Sequence, residues 1–484
     1  MPKAASRYHL FLLFLSILFI GVNGYFLFRG NYFFSFLPIA ISVVYFSFYK
    51  TKELLFFVIL CTPFSLNLEQ LALGNVGFYL PTEPILFGLM ILLSIRALMR
   101  GTYDKKLLNH PISISVLFYL AWMAITVLTS SNILVSVKFL IAKLWFVIPL
   151  FFYLIVVFRQ KENMYRVVWL YLISLAAVVF ITLIRHYGWG FDQKAAHWIM
   201  SPFYKDHTSY GAIVAFYIPL AIGLLYRKKN SAIIQYILIL FLVILSVGLL
   251  YSYTRAAWVS LVAALGVWAL FKLKINIKYV AILGLFGAFV GFQYYTDISI
   301  ALSKNKTDSS ENLSKHIESI SNVSTDASNL ERINRWNCAI RMFEERPVFG
   351  WGPGTYAFEY APFQHSDEIT VISTNFGNKG NAHSEYLGAL SEMGVLGLFS
   401  FLLMLFFVFY KGSLLYIKLE DKELKTLLLS VLLALVSYFV HGVLNNYLDT
   451  DKASVPVWTC FAIIVAIDIY HSKNTATNSE KISV

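Results

Sequence analysis

The residue types able to do chemistry gather in a few short stretches. "YTRAAW" carries Arg255, and "SNLERINRWNCAIRMFEERPVFGWGPGTY" carries Arg332, Arg335, Trp336 and Arg341. "GNKGNAHSEYLGALSEMGVLG" (377–397) turns from a glycine-rich loop into an apolar run, with His383 at the changeover and Glu385 and Glu392 on the incoming segment. "YKDHTSYGA" carries Asp206 and His207, preceded by Arg185 and His186. A guanidinium is a planar, permanently charged fork suited to phosphate oxygens. A neutral imidazole is the usual side-chain proton acceptor. Each has a plainer reading: arginines and tryptophan anchoring a membrane interface, and an Asp-His or Asn-x-His-Ser stretch capping a helix.

Other patterns carry less. "GWGPGTY" (350–356) could turn backbone amides toward an anion, but it lacks the spacing of a nucleotide loop and reads as a compact turn. "LDTDK" sets Asp449 and Asp451 two apart, the spacing that holds a divalent ion in nucleotide-sugar enzymes, and Glu69 is a further acidic residue in an early loop. Neither requires a metal, and no cofactor is implied. Cys61, Cys338 and Cys460 are scattered, without disulfide or zinc spacing.

The elements that must position these residues are membrane spans. Of 484 residues, 58% are hydrophobic and 14% charged, with a mean hydropathy of +0.66. A helix crosses a bilayer with about 20 apolar residues. Apolar runs of that kind fall near 9–28, 32–49, 53–67, 81–99, 112–130, 136–158, 164–185, 209–226, 231–251, 255–271, 278–295, 386–410, 425–446 and 453–470. The expectation is an all-α polytopic membrane protein of about 12–14 transmembrane helices, its N-terminal apolar segment retained as the first span.

Basic residues decide the orientation. Lys3 and Arg7, then Lys50 and Lys52, Arg96 to Lys106, Arg159 to Arg166, Arg227 to Lys229, Lys272 to Lys278 and Lys411 to Lys425 recur at every second connection, while the intervening short loops are poor in Lys and Arg. This positive-inside pattern accounts for most of the net charge of +12 without nucleic acid as a partner, and it puts both termini in the cytoplasm. The organisation expected is transmembrane helices over 1–295, one large external loop over 296–385, transmembrane helices over 386–471 and a cytoplasmic tail over 472–484. Within the loop, 304–329 is polar. After it, Ser328 and Glu331 have capping-box spacing, and Leu330, Ile333, Trp336 or Asn337, Ile340 and Phe343 repeat at helical spacing until Pro347. This predicts one amphipathic helix on the outer membrane surface.

Arg332-x-x-x-Trp336, "RPVFGWGPGTY" and "NAHSEYLGALSEMGVLG", in this order, resemble the bacterial O-antigen ligase and O-antigen polymerase family, whose usual form is an Arg-x-x-x-Trp helix, a P-x-x-G-x-G turn and a His-Asn-x-Tyr-Leu segment; "YTRAAW" is similar to its Thr-Arg segment. The likeness runs from 250 to 400, and Ser384 stands where the family often has Asn. It implies a GT-C-like inner-membrane glycosyltransferase with a periplasmic loop. The donor would be an undecaprenyl-diphosphate-linked glycan, and the acceptor a lipid A core or another carrier-linked glycan. Carried over, the catalytic histidine falls on His383 and the diphosphate-binding arginines on Arg255 and Arg332. Arg335, Arg341, Trp336, His207 and Arg185 are the further substrate-binding candidates. A polymerase of the same family and a transporter of lipid-linked glycans are the competing readings, and membrane lipids are the other expected partners.

Overall fold

The computed structural model describes residues 2–68, 77–100, 104–273, 327–366, 368–369, 373 and 380–472. Among them, eleven helices are long and apolar enough to cross a membrane, and the one sheet is the two-residue antiparallel pair Leu66–Asn67 and Tyr79–Leu80. A backbone that satisfies its own hydrogen bonds within each helix is what a bilayer demands. The protein is an all-α, multi-pass membrane protein.

Two compact units divide at Phe57. The first contains the helices Pro2–Phe28 and Leu37–Tyr49, joined through a tight turn at Phe33–Phe36. Phe34 stacks on Phe19 and Phe26, and Ser35 Oγ donates to Asn23 Oδ1 at 2.9 Å.

The second unit holds the loop and the remaining spans. Its centre is the helix beginning at Asp451, buried at every position to Ala466. Two charges at its head explain how such a helix is tolerated. Asp451 Oδ2 accepts from Ser65 Oγ at 2.5 Å and Thr82 Oγ1 at 2.6 Å, and Lys452 Nζ donates to the carbonyls of Thr62 (2.5 Å) and Ser65 (2.9 Å). Buried charge persists only when paired in this way. The helices His207–Leu225 and Arg255–Lys272 both pack against Lys422–His441. Glu385–Lys418 packs against Pro111–Leu128 and, outside the spans, against the loop helix Ala327–Glu345.

Most expected spans appear within a few residues of their sequence limits, with three differences. The run at 32–49 is a turn at Phe33–Phe36 and the 13-residue helix Leu37–Tyr49, too short to be among the eleven. The run at 53–67 is not a span: its helix ends at Cys61, turns through Thr62–Phe64 and enters the small hairpin. Pro63 follows too closely for the helix to continue. The run near 386–410 extends to Lys418 and is kinked at Gly394, whose φ of +67° suits glycine. The run at 278–295 and Glu69 lie outside the described residues.

The loop helix also differs from its expectation. It is present, but its buried face is Glu331, Asn334, Arg335, Cys338, Ala339 and Met342, rotated from the Leu330, Ile333, Ile340 and Phe343 face that periodicity picks out. Those four are only partly covered. Glu331 and Arg335 can be buried because they neutralise each other one turn apart, Nε to Oε1 at 2.7 Å.

Candidate functional site

The ends of four spans on one side of the helix bundle and the loop helix meet around Arg332. Arg255 is the first residue of its helix and follows the turn Ser252–Tyr253–Thr254, where Tyr253 has φ +51°. Thr254 Oγ1 donates to the carbonyl of His207 at 2.8 Å, tying this turn to the start of the neighbouring helix. There Asp206 is the cap: its Oδ1 accepts from the Ser209 N–H at 2.8 Å and Thr208 Oγ1 at 2.7 Å. The capping reading of the Asp-His pair therefore holds for Asp206. His207 turns its ring onto His197, with centroids 4.3 Å apart.

Arg332 lies close enough to Arg255, His207 and His383 for its charge to act on all three. Burial disfavours the Arg332 cation and lowers its pKa; Tyr447 and Asp206 work in the other direction. Asp206 stays below the usual carboxylate range: burial pushes it up, but the Ser209 amide and the Thr208 hydroxyl outweigh that.

His383 is held by its main chain. It occupies the left-handed region at φ +48°, a strained setting for a residue with a Cβ. Its N–H donates to Asn381 Oδ1 at 3.1 Å and its carbonyl accepts from Trp336 Nε1 at 3.3 Å. Trp336 thus supports the histidine, one helical turn from Arg332. The imidazole pKa is lowered to about 4, first by burial and then by Arg332 and Arg335. At neutral pH it is an uncharged base.

The other arginines have structural employment. Arg335 is paired with Glu331, sits 3.9 Å from the Tyr360 ring centroid, and comes so close to Gly380 that a Cβ there would collide with the guanidinium. Its pKa is raised: burial opposes the charge, and Glu331 more than compensates. Arg341 forks onto Glu368, Nη1 to Oε2 at 2.8 Å and Nη2 to Oε1 at 2.6 Å, and also reaches the Phe363 carbonyl. Arg185 donates to the Ser201 carbonyl. The structure brings Arg255, Arg332, His207 and His383 together, keeps Arg335 beside them within its ion pair, and holds Arg341 and Arg185 on loop contacts.

The glycine turn is a clamp on the kinked helix. The N–H groups of Trp351 and Gly352 donate to the carbonyls of Ser391 (3.1 Å) and Glu392 (2.8 Å), and the Tyr356 N–H donates to Glu392 Oε1 at 3.1 Å. A Cβ on Gly350 (φ +68°) would enter the Glu392 backbone. Asp449 bonds Lys143 Nζ at 2.6 Å, whereas Asp451 faces Ser65 and Thr82, so the two acids of "LDTDK" serve different partners.

Sequence reasoning missed Tyr447 and Thr208 beside Arg332. Thr208 and Tyr447 hydroxyls bond each other. Tyr447 lies in "NNYLDTDK", a loop whose sequence signals are its scarcity of Lys and Arg and its acid spacing.

No curated protein matches the chain. Residues 240–402 match the family model described as O-Antigen ligase, a stretch that contains Arg255, Arg332 and His383.

Proposed function

We propose that this protein is an O-antigen ligase-type glycosyltransferase of the inner membrane. It moves a glycan from undecaprenyl diphosphate to a lipid A core acceptor, or a similar glycan, on the periplasmic face. The observation that carries the reading is the convergence of Arg255, Arg332 and His383, distant in sequence, at one end of packed helices.

The chemistry follows from the groups present. A glycosyl diphosphate is already activated, so the protein must neutralise charge as the diphosphate departs. Arg255 and Arg332 are cations held against burial, and Arg255 also feels the charge of Arg332. A dianionic ligand between them relieves both costs. Electrostatic stabilisation of this kind commonly dominates catalysis. His383, neutral at pH 7, takes the acceptor hydroxyl proton as the oxygen attacks the anomeric carbon. The new C–O bond forms while the bond to the diphosphate oxygen breaks, and the lipid diphosphate leaves with the electron pair. One displacement inverts the anomeric centre. The bound diphosphate also raises the basicity of His383 by offsetting Arg332 and Arg335. The arginines make a divalent ion unnecessary for this step.

The test is genetic. A strain lacking the protein should accumulate long, unligated glycan on the lipid carrier, and complementation by His383→Ala or Arg332→Ala should leave that accumulation in place although the protein inserts. Single repeats attached to the core would instead establish a polymerase, and normal glycan from a well-expressed His383→Ala protein would refute the reading.

A further inference from the structure

The histidine loop and the arginine cluster come from different parts of the chain, and one carboxylate joins them. Glu385 stands two residues after His383. Its backbone N–H donates to the Gly442 carbonyl at 2.9 Å, and its Oε1 accepts three hydrogen bonds: from the Tyr438 hydroxyl at 2.7 Å, the Tyr447 N–H at 2.8 Å and the Leu448 N–H at 2.9 Å. The loop between the last two spans is thereby tied to the start of the kinked helix. From that loop the Tyr447 hydroxyl bonds Thr208, whose Oγ1 also meets Asp206 Oδ1. Tyr447 and Asp206 are the two groups that favour the Arg332 cation.

A carboxylate oxygen holding three donors is an expensive arrangement to break, because each donor it releases is partly buried and must find another partner. Glu385 itself is remote from the transferred bond in this scheme. What it controls is the distance between a base on one segment and a diphosphate-binding cation on another.

We propose that Glu385 is a positioning residue: through its three hydrogen bonds it seats Tyr447 against Thr208 and so sets Arg332 in register with His383. The inference rests on the roles given above to those two residues. Its consequence is a loss of turnover with little change in donor recognition, since the arginines remain while the geometry of attack relaxes. A displacement of about 1 Å between reacting groups costs on the order of 100-fold in rate.

The experiment is steady-state transfer by the full-length protein in detergent or proteoliposomes, with carrier-linked donor and core acceptor. Glu385→Ala is expected to lower kcat by about 10- to 100-fold with donor KM nearly unchanged. Glu385→Gln, whose amide oxygen can accept the same three bonds, should restore most of it. Tyr447→Phe should reproduce part of the loss, and the double variant Glu385→Ala/Tyr447→Phe should be no worse than Glu385→Ala alone, because both act through one linkage. Multiplicative losses in the double variant, or a Glu385→Gln protein as impaired as Glu385→Ala, would overturn the proposal. If Glu385→Ala does not insert, the glutamine variant and Tyr447→Phe still decide it. The assignment of His383 and Arg332 is judged separately, by whether their own alanine variants are inactive in the same assay.

Discussion

His383 is set apart by its surroundings more than by its type. Burial and the charges of Arg332 and Arg335 bring its pKa to about 4, against about 6.5 for an unperturbed histidine. The base is the neutral form, so a depressed pKa extends activity to lower pH. The acid limb of kcat/KM, which reports the free enzyme, should leave the rate flat through pH 6.5 and fall only toward pH 4. A midpoint near 6.5 would contradict the environment described here. The arginines separate in the same way. Arg335 and Glu331 are about 5% and 7% exposed, and removing one partner of such a pair costs about 3–5 kcal/mol. Arg335→Ala should therefore lower the thermal unfolding temperature markedly, and Arg341→Ala, whose pair with Glu368 is more open, by less. Equal losses would mean that the two pairs do the same structural work. This distinction was not legible in the sequence, where Arg335 and Arg341 look alike. What separates them is which carboxylate folds onto each and how deeply it is buried.

At the level of elements, the spans were readable because long apolar runs and basic connections are one-dimensional signals. The loop helix was readable as a helix but not in its orientation. Its apolar positions suggested one face, whereas the buried face includes an ion pair that hydropathy scores as exposed and that burial tolerates only because both partners move inside together. The turn at 350–356 was legible as a turn, and its partner was not. Its amides meet Ser391 and Glu392 at the kink beside Gly394, a contact across many residues that no local pattern encodes. Gly352, at φ +111° with the Ser130 side chain in the place of a Cβ, is the sensitive point. Gly352→Ala should reduce folded yield and thermal stability, while any folded fraction keeps its acid limb, since the turn acts on packing and not on the base. A stable, fully active Gly352→Ala protein would show that the clamp is dispensable.

Across the whole molecule, alternating basic loops predict that the loop helix and the Arg255, Arg332 and His383 cluster share the periplasmic side, opposite Arg227–Lys229. Exposed positions chosen on each side can test it: an impermeant maleimide should label His365→Cys in intact spheroplasts and Lys228→Cys only after lysis. Labelling in the reverse order would invert the topology and detach the site from periplasmic substrates. The family match over 240–402 explains why the site region was legible from its motifs, while the network through Glu385, Tyr447 and Thr208, which depends on two loops meeting, was not. The central claim is that this arginine–histidine arrangement transfers a lipid-diphosphate-linked glycan by itself. The most direct measurement is transfer by the purified protein from a defined carrier-linked donor to a lipid A core acceptor, with a chelator present and no nucleotide or ion gradient, and with the product's anomeric configuration read by NMR. An inverted linkage is expected, formed by the wild-type protein and lost in His383→Ala and Arg332→Ala. A retained configuration, or undiminished transfer by either variant, would contradict it.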